Sequence, residues 1–330
     1  MTELGIAFDD ADLERAVAEG IEKVEAALRT AVASDDPFVG EAARYLVEAG
    51  GKRFRPLMTL LAAHCGDDPR APEVIDAAVV CELTHLATLY HDDVMDEAEV
   101  RRGAPSANAR WDNTLAILTG DFLFSRASNL LAGLGPWAVK LQATTFERLV
   151  LGQIHETAGP SNGTDPIAHH LQVLADKTGS LIATAAEFGA TFAGADADTV
   201  AALREFAEQY GLAFQLSDDI IDIASESAQS GKTPGTDLRE GVPTLPVLYV
   251  LAGTDPAEAR LRELVSGPIT DDADLLEALR LLRVSPGLQR ARATLADFAA
   301  GARAAIEKID SPRVSAAFGA LVDHVVSRTG

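Results

Sequence analysis

The stretch CELTHLATLYHDDVMD, residues 81–96, is apolar at helical spacing and closes on three aspartates, Asp92, Asp93 and Asp96. Residues four apart share a helix face, so Asp92 and Asp96 point together. The same form returns in GLAFQLSDDIID, residues 211–222, with Asp218, Asp219 and Asp222. Three like charges within five residues repel one another in an isolated helix, so each cluster calls for compensation. A solvated acidic face accounts for one such cluster. It accounts poorly for two, each interrupting an apolar run. Paired carboxylates on facing helices are a way to bind divalent metal inside a bundle. Oxygen donors without His or Cys favour Mg²⁺ over Zn²⁺. Mg²⁺ keeps several waters and is completed by substrate phosphates, which points to a phosphorylated substrate.

Outward from these runs the periodicity stays helical. Leu13, Val17, Ile21, Val24 and Leu28 step by three and four, the signature of one buried helix face. The same rhythm predicts helices over 38–49, 71–93, 114–132, 137–156, 167–192, 197–224, 243–252, 258–266, 271–283, 287–308 and 311–327. Breakers such as GDDPR at 66–70 and GPSNGTDP at 159–166 separate them. No alternation long enough for a strand occurs. Asp76, Asp198 and Asp271 are placed to favour helix N-termini. No linker or composition shift divides the chain, so the expectation is one all-α domain, 1–330, of roughly a dozen helices. The long irregular stretch is 225–242.

Lys and Arg number 28 against 50 Asp and Glu, a net charge of −22. Such a chain repels nucleic acid unless it carries a segregated basic patch, and its dense basic clusters are short. An apolar share of 47% excludes wholesale disorder. Two cysteines, Cys65 and Cys81, exclude a disulfide framework and a thiolate metal cage. The start MTELGIAFDDADLE lacks a signal-peptide core, and no run approaches the roughly 18 apolar residues that span a membrane. The expectation is a cytoplasmic protein with no transmembrane segment. The basic residues gather in GGKRFRP at 50–56, Arg101-Arg102-Gly103, Lys177-Thr178-Gly179 and Gly231-Lys232-Thr233. Glycine lets the backbone approach an anion, and Lys and Arg supply charge and forked donors. Each pair alone reads as a surface salt bridge. Beside two metal-type clusters they read as a means of holding a diphosphate.

In order along the chain stand GGKRFRP, ELTHLATLYHDDVMDEAEVRRG at 82–103, GDFLF at 120–124, GQ at 152–153, DKTGSL at 176–181, QLSDDIIDI at 215–223 and GKTPGTDLREGVPTLP at 231–246. This ordered set resembles the all-trans isoprenyl diphosphate synthases, in particular the long-chain polyprenyl members. The resemblance implies an isoprenoid synthase helical bundle around a central cavity. It also implies a homodimer and an Mg²⁺-dependent condensation of isopentenyl diphosphate with an allylic diphosphate. Asp92 and Asp96, assisted by Asp93, and Asp218, with Asp219 and Asp222, would hold three Mg²⁺ ions. Arg101, Lys177, Thr178, Gln215 and Lys232 would hold the allylic diphosphate. Lys52, Arg55, His85 and Arg102 would hold isopentenyl diphosphate, with Arg53 and Gln153 as secondary contacts. His85 lies seven residues before Asp92, two turns back on one face. His64, His91, His169 and His170 read as structural or surface residues. The chain departs from many relatives at Val242, where they carry a second lysine.

In this family the product grows along a tunnel beside the first acidic helix. Thr84, Ala87 and Thr88 are the small residues that would leave it open. A helical turn rises about 5.4 Å, roughly one extended isoprene unit, and by the resemblance the product reaches roughly seven to ten units. Such products feed quinone side chains and are lipids that can be released to a membrane. A short-chain synthase making a C15 or C20 product is the alternative within the same chemistry. A class I terpene cyclase would leave GGKRFRP unexplained and would line its cavity with more aromatics than 5% provides. A non-catalytic subunit of a heteromeric synthase would lose acidic residues that are intact here. The helices beyond about residue 255 carry no motif tied to chemistry.

Overall fold

Apolar spacing and acidic caps set the helices. In α1 (Ala11–Ala31), Leu13, Val17, Val24 and Leu28 are buried on one face. Asp10 starts it by accepting the backbone N–H groups of Asp12 and Leu13. The structure, a computed structural model, describes residue 6 and residues 8–224 and 234–328. After α1 come α2 (Pro37–Glu48), α3 (Phe54–Ala63), α4 (Pro72–Met95), a hairpin of β1 (Val100–Arg101) and β2 (Ala104–Pro105), and α5 (Ala107–Arg110). Then follow α6 (Asn113–Leu134), α7 (Pro136–Ala158), α8 (Pro166–Leu174), α9 (Ser180–Phe192) and α10 (Ala197–Ala224). The described chain ends with α11 (Thr236–Glu240), α12 (Leu245–Leu251), α13 (Ala259–Leu264), α14 (Asp272–Arg283), α15 (Pro286–Ile306) and α16 (Pro312–Ser327). The fold is all-α, as the periodicity predicts; the hairpin is the exception, with Val100 paired to Pro105 and Arg101 to Ala104.

Asp36, Asp112, Asp165 and Asp271 cap α2, α6, α8 and α14 with their side chains. Such a carboxylate satisfies N–H groups that have no partner within the helix and faces the positive end of the helix dipole. Part of the acidic excess therefore serves to start helices. Asp198 lies in the first turn of α10. Asp76 does not mark a helix start: α4 begins at Pro72, and burial with nearby Glu73 pushes the Asp76 carboxyl above its ordinary range. The single helix expected over 167–192 is divided. Between α8 and α9 the chain makes one π-helical turn, Ala175–Gly179.

The chain groups into two compact units: residues 1–146, 181–204 and 307–320 form the first, and residues 147–180, 205–306 and 321–330 the second. In the first unit α4 is buried without interruption from Ala77 to Thr84. A helix apolar on all sides belongs in a core. Its Val79, Leu83, Leu86 and Tyr90 pack with Val24, Leu28, Leu46 and Leu123. A close backbone approach fixes α9 on α3: a Cβ at Gly189 would lie 2.0 Å from the Thr59 carbonyl oxygen. In the second unit Leu238, Val250, Leu264, Leu275 and Leu282 share one core cluster, and Leu174, Leu216, Ile220, Leu245 and Leu288 another. Among the described residues no helix is long and apolar enough to cross a membrane.

Candidate active site

In the first unit the acidic motif ends α4. Asp92 and Asp93 lie in its last turn, Asp96 is its C-cap, and no basic residue shares that turn. Glu97 then takes the left-handed region at φ 50° and turns the chain away. A helix C-terminus carries partial negative charge, so carboxylates here oppose the dipole by about 0.3–1 kcal/mol each. Asp93 is fully buried. Its Oδ1 accepts from Arg101 Nε at 2.6 Å, while its Oδ2 has no hydrogen-bond partner.

The hairpin presents the two arginines. Arg102 (φ 54°) and Gly103 (φ 77°) form its tip, with the paired positive φ values that a two-residue type I′ turn requires. The Arg102 guanidinium donates to the carbonyls of Leu46, at 2.9 Å, and Gly50. A Cβ on Gly51 would sit 2.8 Å from its central carbon, so this glycine admits the side chain.

GGKRFRP forms the entry to α3 and divides its cations by burial. Arg53, 3% exposed, donates from its three nitrogens to Glu25, to Glu82 at 2.9 Å and to the Val47 carbonyl at 2.7 Å. It is a structural ion pair, with each of its three nitrogens already engaged. Arg55 is half-buried, and its Nε is buried without a partner. Lys52 is exposed. His85 on α4 is half-buried; desolvation, then Arg55, Arg102, Arg101 and Arg53, hold its imidazole well below the ordinary histidine range. It is therefore neutral at neutral pH. Lys52 and Arg55 stand at the positive end of α3, again against the dipole. An anion at this helix start and a cation at the end of α4 would relieve both arrangements.

In the second unit the other acidic motif occupies the last two turns of α10, with no basic residue in the last turn. Asp219 is 7% exposed. Thr178 Oγ1 donates to Gln215 Oε1 at 3.3 Å, and Gln215 Nε2 donates to Asp219 Oδ1 at 3.2 Å. Asp219 Oδ2 has no hydrogen-bond partner; His170 Nε2, also without one, stands 3.6 Å away. The sequence reads His170 as a structural or surface residue; in the structure it stands beside Asp219. Asp222 accepts the N–H groups of Thr236 and Asp237, each at 3.3 Å, and so ties down α11. Asp218 pairs with the guanidinium of Arg328, which lies over the Phe214 ring. The end of α16, which had no assigned chemistry, thus reaches the acidic cluster. Lys177 Nζ donates to Glu156 at 2.5 Å. Gln153 is half-buried on α7. Lys232 lies outside the described residues.

Among the described residues no three His, Cys, Asp or Glu side chains converge as a ready-made metal cage. At each helix end, taken by itself, the carboxylate donors and an orphaned buried oxygen, Asp93 Oδ2 in the first unit and Asp219 Oδ2 in the second, fit hard divalent cations.

The three proposed tunnel residues differ in exposure. Thr84 and Ala87 are fully buried, while Thr88 is half-buried. Thr84 accepts from Gln142 Nε2 at 2.8 Å. Ala87 lies where α6 crosses α4: a Cβ on Gly120 would be 3.1 Å from its carbonyl oxygen and 2.3 Å from His91 Nε2. His91 itself is engaged with the Ile117 carbonyl at 3.0 Å, as a structural residue. A bulky side chain at Ala87 would overpack this crossing. Thr88 is the position at which tunnel length can be tested.

A helical fold with two Asp-Asp-x-x-Asp helix ends and an arginine cluster defines a prenyltransferase of the isoprenoid synthase type. The polyprenyl synthetase family model matches residues 36–282. The chain is 51% identical over 326 residues to a nonaprenyl diphosphate synthase of Mycobacterium tuberculosis, covering 99% of this chain and 97% of that one. Its structure is similar to a geranylgeranyl pyrophosphate synthase from Corynebacterium glutamicum, complexed with calcium and isoprenyl diphosphate. The TM-score is 0.90 at 45% identity, over 98% of this chain and 100% of that one. A decaprenyl diphosphate synthase from Rhodobacter capsulatus gives a TM-score of 0.87 at 34% identity, over 97% and 99% of the two chains. The chain belongs to the polyprenyl synthetase family.

Proposed function

We propose that the chain condenses isopentenyl diphosphate with an allylic diphosphate to make a long all-trans polyprenyl diphosphate, as a cytoplasmic, Mg²⁺-dependent homodimer. The reading rests on charge placed against helix dipoles: cations where α3 begins, carboxylates where α4 and α10 end. The likeness to a nonaprenyl diphosphate synthase supports the long product. Exposed Ile117 and Leu118 on α6 and Val139 on α7 support an apolar contact between two copies.

Asp92, Asp96, Asp218 and Asp222 would hold Mg²⁺, which when bound supplies Lewis-acid stabilisation of charge on the departing pyrophosphate. Arg101, Lys177, Thr178 and Gln215 hold the allylic diphosphate, with Lys232 added from the sequence resemblance. Lys52, Arg55, Arg102 and His85 hold the second diphosphate and aim the isopentenyl double bond at the allylic C1 carbon. His85 offers an N–H to a phosphate oxygen, and the arginines supply the charge. The allylic C–O bond breaks, the double bond forms the new C–C bond, and a proton leaves to the released pyrophosphate.

Purified protein incubated with labelled isopentenyl diphosphate, Mg²⁺ and a C10, C15 or C20 primer is expected to give products well beyond C25. An endpoint at C15 or C20 would keep the chemistry and reject the long product. No incorporation by folded protein would reject the reading for the chain on its own. In the same assay Thr88→Tyr is expected to shorten the product with its rate of first addition held within about threefold; an unchanged length distribution would remove Thr88 from the tunnel. Each helical turn of about 5.4 Å closed off beyond Thr88 corresponds to roughly one isoprene unit of lost room.

A further inference from the structure

The π-helical turn Ala175–Gly179 contains Lys177 and Thr178. A π-turn inserts one residue into an α-helix, and one residue corresponds to a rotation of about 100° about the axis. Whether this turn is π or α therefore decides which way Lys177 and Thr178 face relative to the helix that follows. Such turns are held by their surroundings, since their own hydrogen bonding is less favourable.

Here the surroundings are specific. Asp176, the second residue of the turn, is 9% exposed. Arg148 Nε donates to Asp176 Oδ1 at 2.8 Å, and Gln172 Nε2 donates to its Oδ2 at 2.7 Å. Ser180 Oγ donates to the Asp176 carbonyl at 2.5 Å. Arg148 also donates from Nη2 to the Ala175 carbonyl at 3.4 Å, and from Nη1 to Glu208 on α10 at 3.0 Å. One turn after Arg148 on α7, Gly152 brings the helix against the same segment: a Cβ there would lie 2.8 Å from the Lys177 nitrogen. Both carboxylate oxygens of Asp176 and two of the carbonyls in the turn, those of Ala175 and Asp176, are thus held by side chains from outside it.

We propose that Arg148 is a positioning residue for the allylic diphosphate, acting through Asp176 to keep the turn in its π form and so aim Lys177 and Thr178. The proposal rests on the reading of those two residues as allylic diphosphate contacts. The Arg148 guanidinium is committed to Asp176, Ala175 and Glu208. Its fork spans Asp176, Ala175 and Glu208 at once, which a lysine cannot reproduce.

The test compares Arg148→Gln, Arg148→Lys and Lys177→Ala, measuring KM separately for the allylic primer and for isopentenyl diphosphate. Misplacing a binding group by about an ångström costs up to about a hundredfold. Arg148→Gln is expected to raise the allylic KM by about tenfold or more and leave the isopentenyl KM within about twofold. Arg148→Lys should recover little. Hydrogen exchange at residues 175–180 should speed up in the same variant, with exchange elsewhere unchanged. If Lys177→Ala raises the allylic KM and Arg148→Gln does not, the positioning role is wrong and the site reading stands. An equal rise in both KM values from Arg148→Gln would also overturn it. No change from Lys177→Ala would overturn both. Should Arg148→Gln not fold, Asp176→Asn carries the same expectation and the same contrary outcomes.

Discussion

An Asp92→Asn enzyme is expected to lose about 10²–10³-fold in turnover, the usual effect of removing one preorganised electrostatic stabiliser from an active site. Its fold should hold, and its resistance to urea should rise. Asp92 stands in the last turn of α4, where the dipole is already negative and the turn itself contains no basic residue. Neutralising one carboxylate there relieves about 0.3–1 kcal/mol of unfavourable charge–dipole energy. A change that stabilises the protein while stopping the reaction marks a group retained for chemistry. Turnover in the chain-elongation assay and the urea midpoint without Mg²⁺ provide the check. Retained turnover would remove Asp92 from the site; a lowered midpoint would make it a structural residue.

The opposite pattern is expected at Arg53→Leu. Arg53 and Glu82 are each 2% exposed at the side chain, and Glu25 shares the same guanidinium. Removing the arginine leaves a buried carboxylate without its partner, at a cost of about 3–5 kcal/mol. The variant should be largely unfolded at 37 °C, and any folded fraction at low temperature should keep its KM for isopentenyl diphosphate. Lys52→Ala, at an exposed neighbour, should leave stability within about 0.5 kcal/mol and raise that KM. Denaturation midpoints with initial-rate kinetics at 10 °C separate the two. An Arg53→Leu protein as stable as its parent, with a raised KM, would return Arg53 to the substrate contacts.

These two residues also show where the sequence was readable. Asp92 was found because its cluster breaks an apolar run and recurs at Asp218, a pattern visible without a fold. Arg53 and Arg55 differ by two positions in one basic motif, and nothing in their spacing separates them. The left-handed backbone at Arg53 (φ 43°) helps to turn that side chain inward; this is decided by Glu25 and Glu82, distant in sequence. α3 escaped the periodic reading for a related reason. From Phe54 to Ala63 every residue but Arg55 is buried, so no polar face marks a period. The π-turn has no sequence signature because Arg148, Gln172 and Ser180 hold it from outside. Asp76 caps nothing because Pro72 is the first residue of α4 and Asp76 falls in its second turn. Spacing alone could not place His170 beside Asp219, because the two lie on different helices.

The aspartates that begin helices hold their N–H groups with a single side-chain oxygen, and asparagine has the same oxygen in the same place. At Asp10, Asp36, Asp112, Asp165 and Asp271, the cap and the charge are therefore separable. Asparagine at all five would keep each hydrogen bond, give up the charge–dipole part, and leave both acidic helix ends untouched. Such a protein would gather a thinner atmosphere of bulk cations. Titration of divalent ions at the two helix ends would then be read against a lower background.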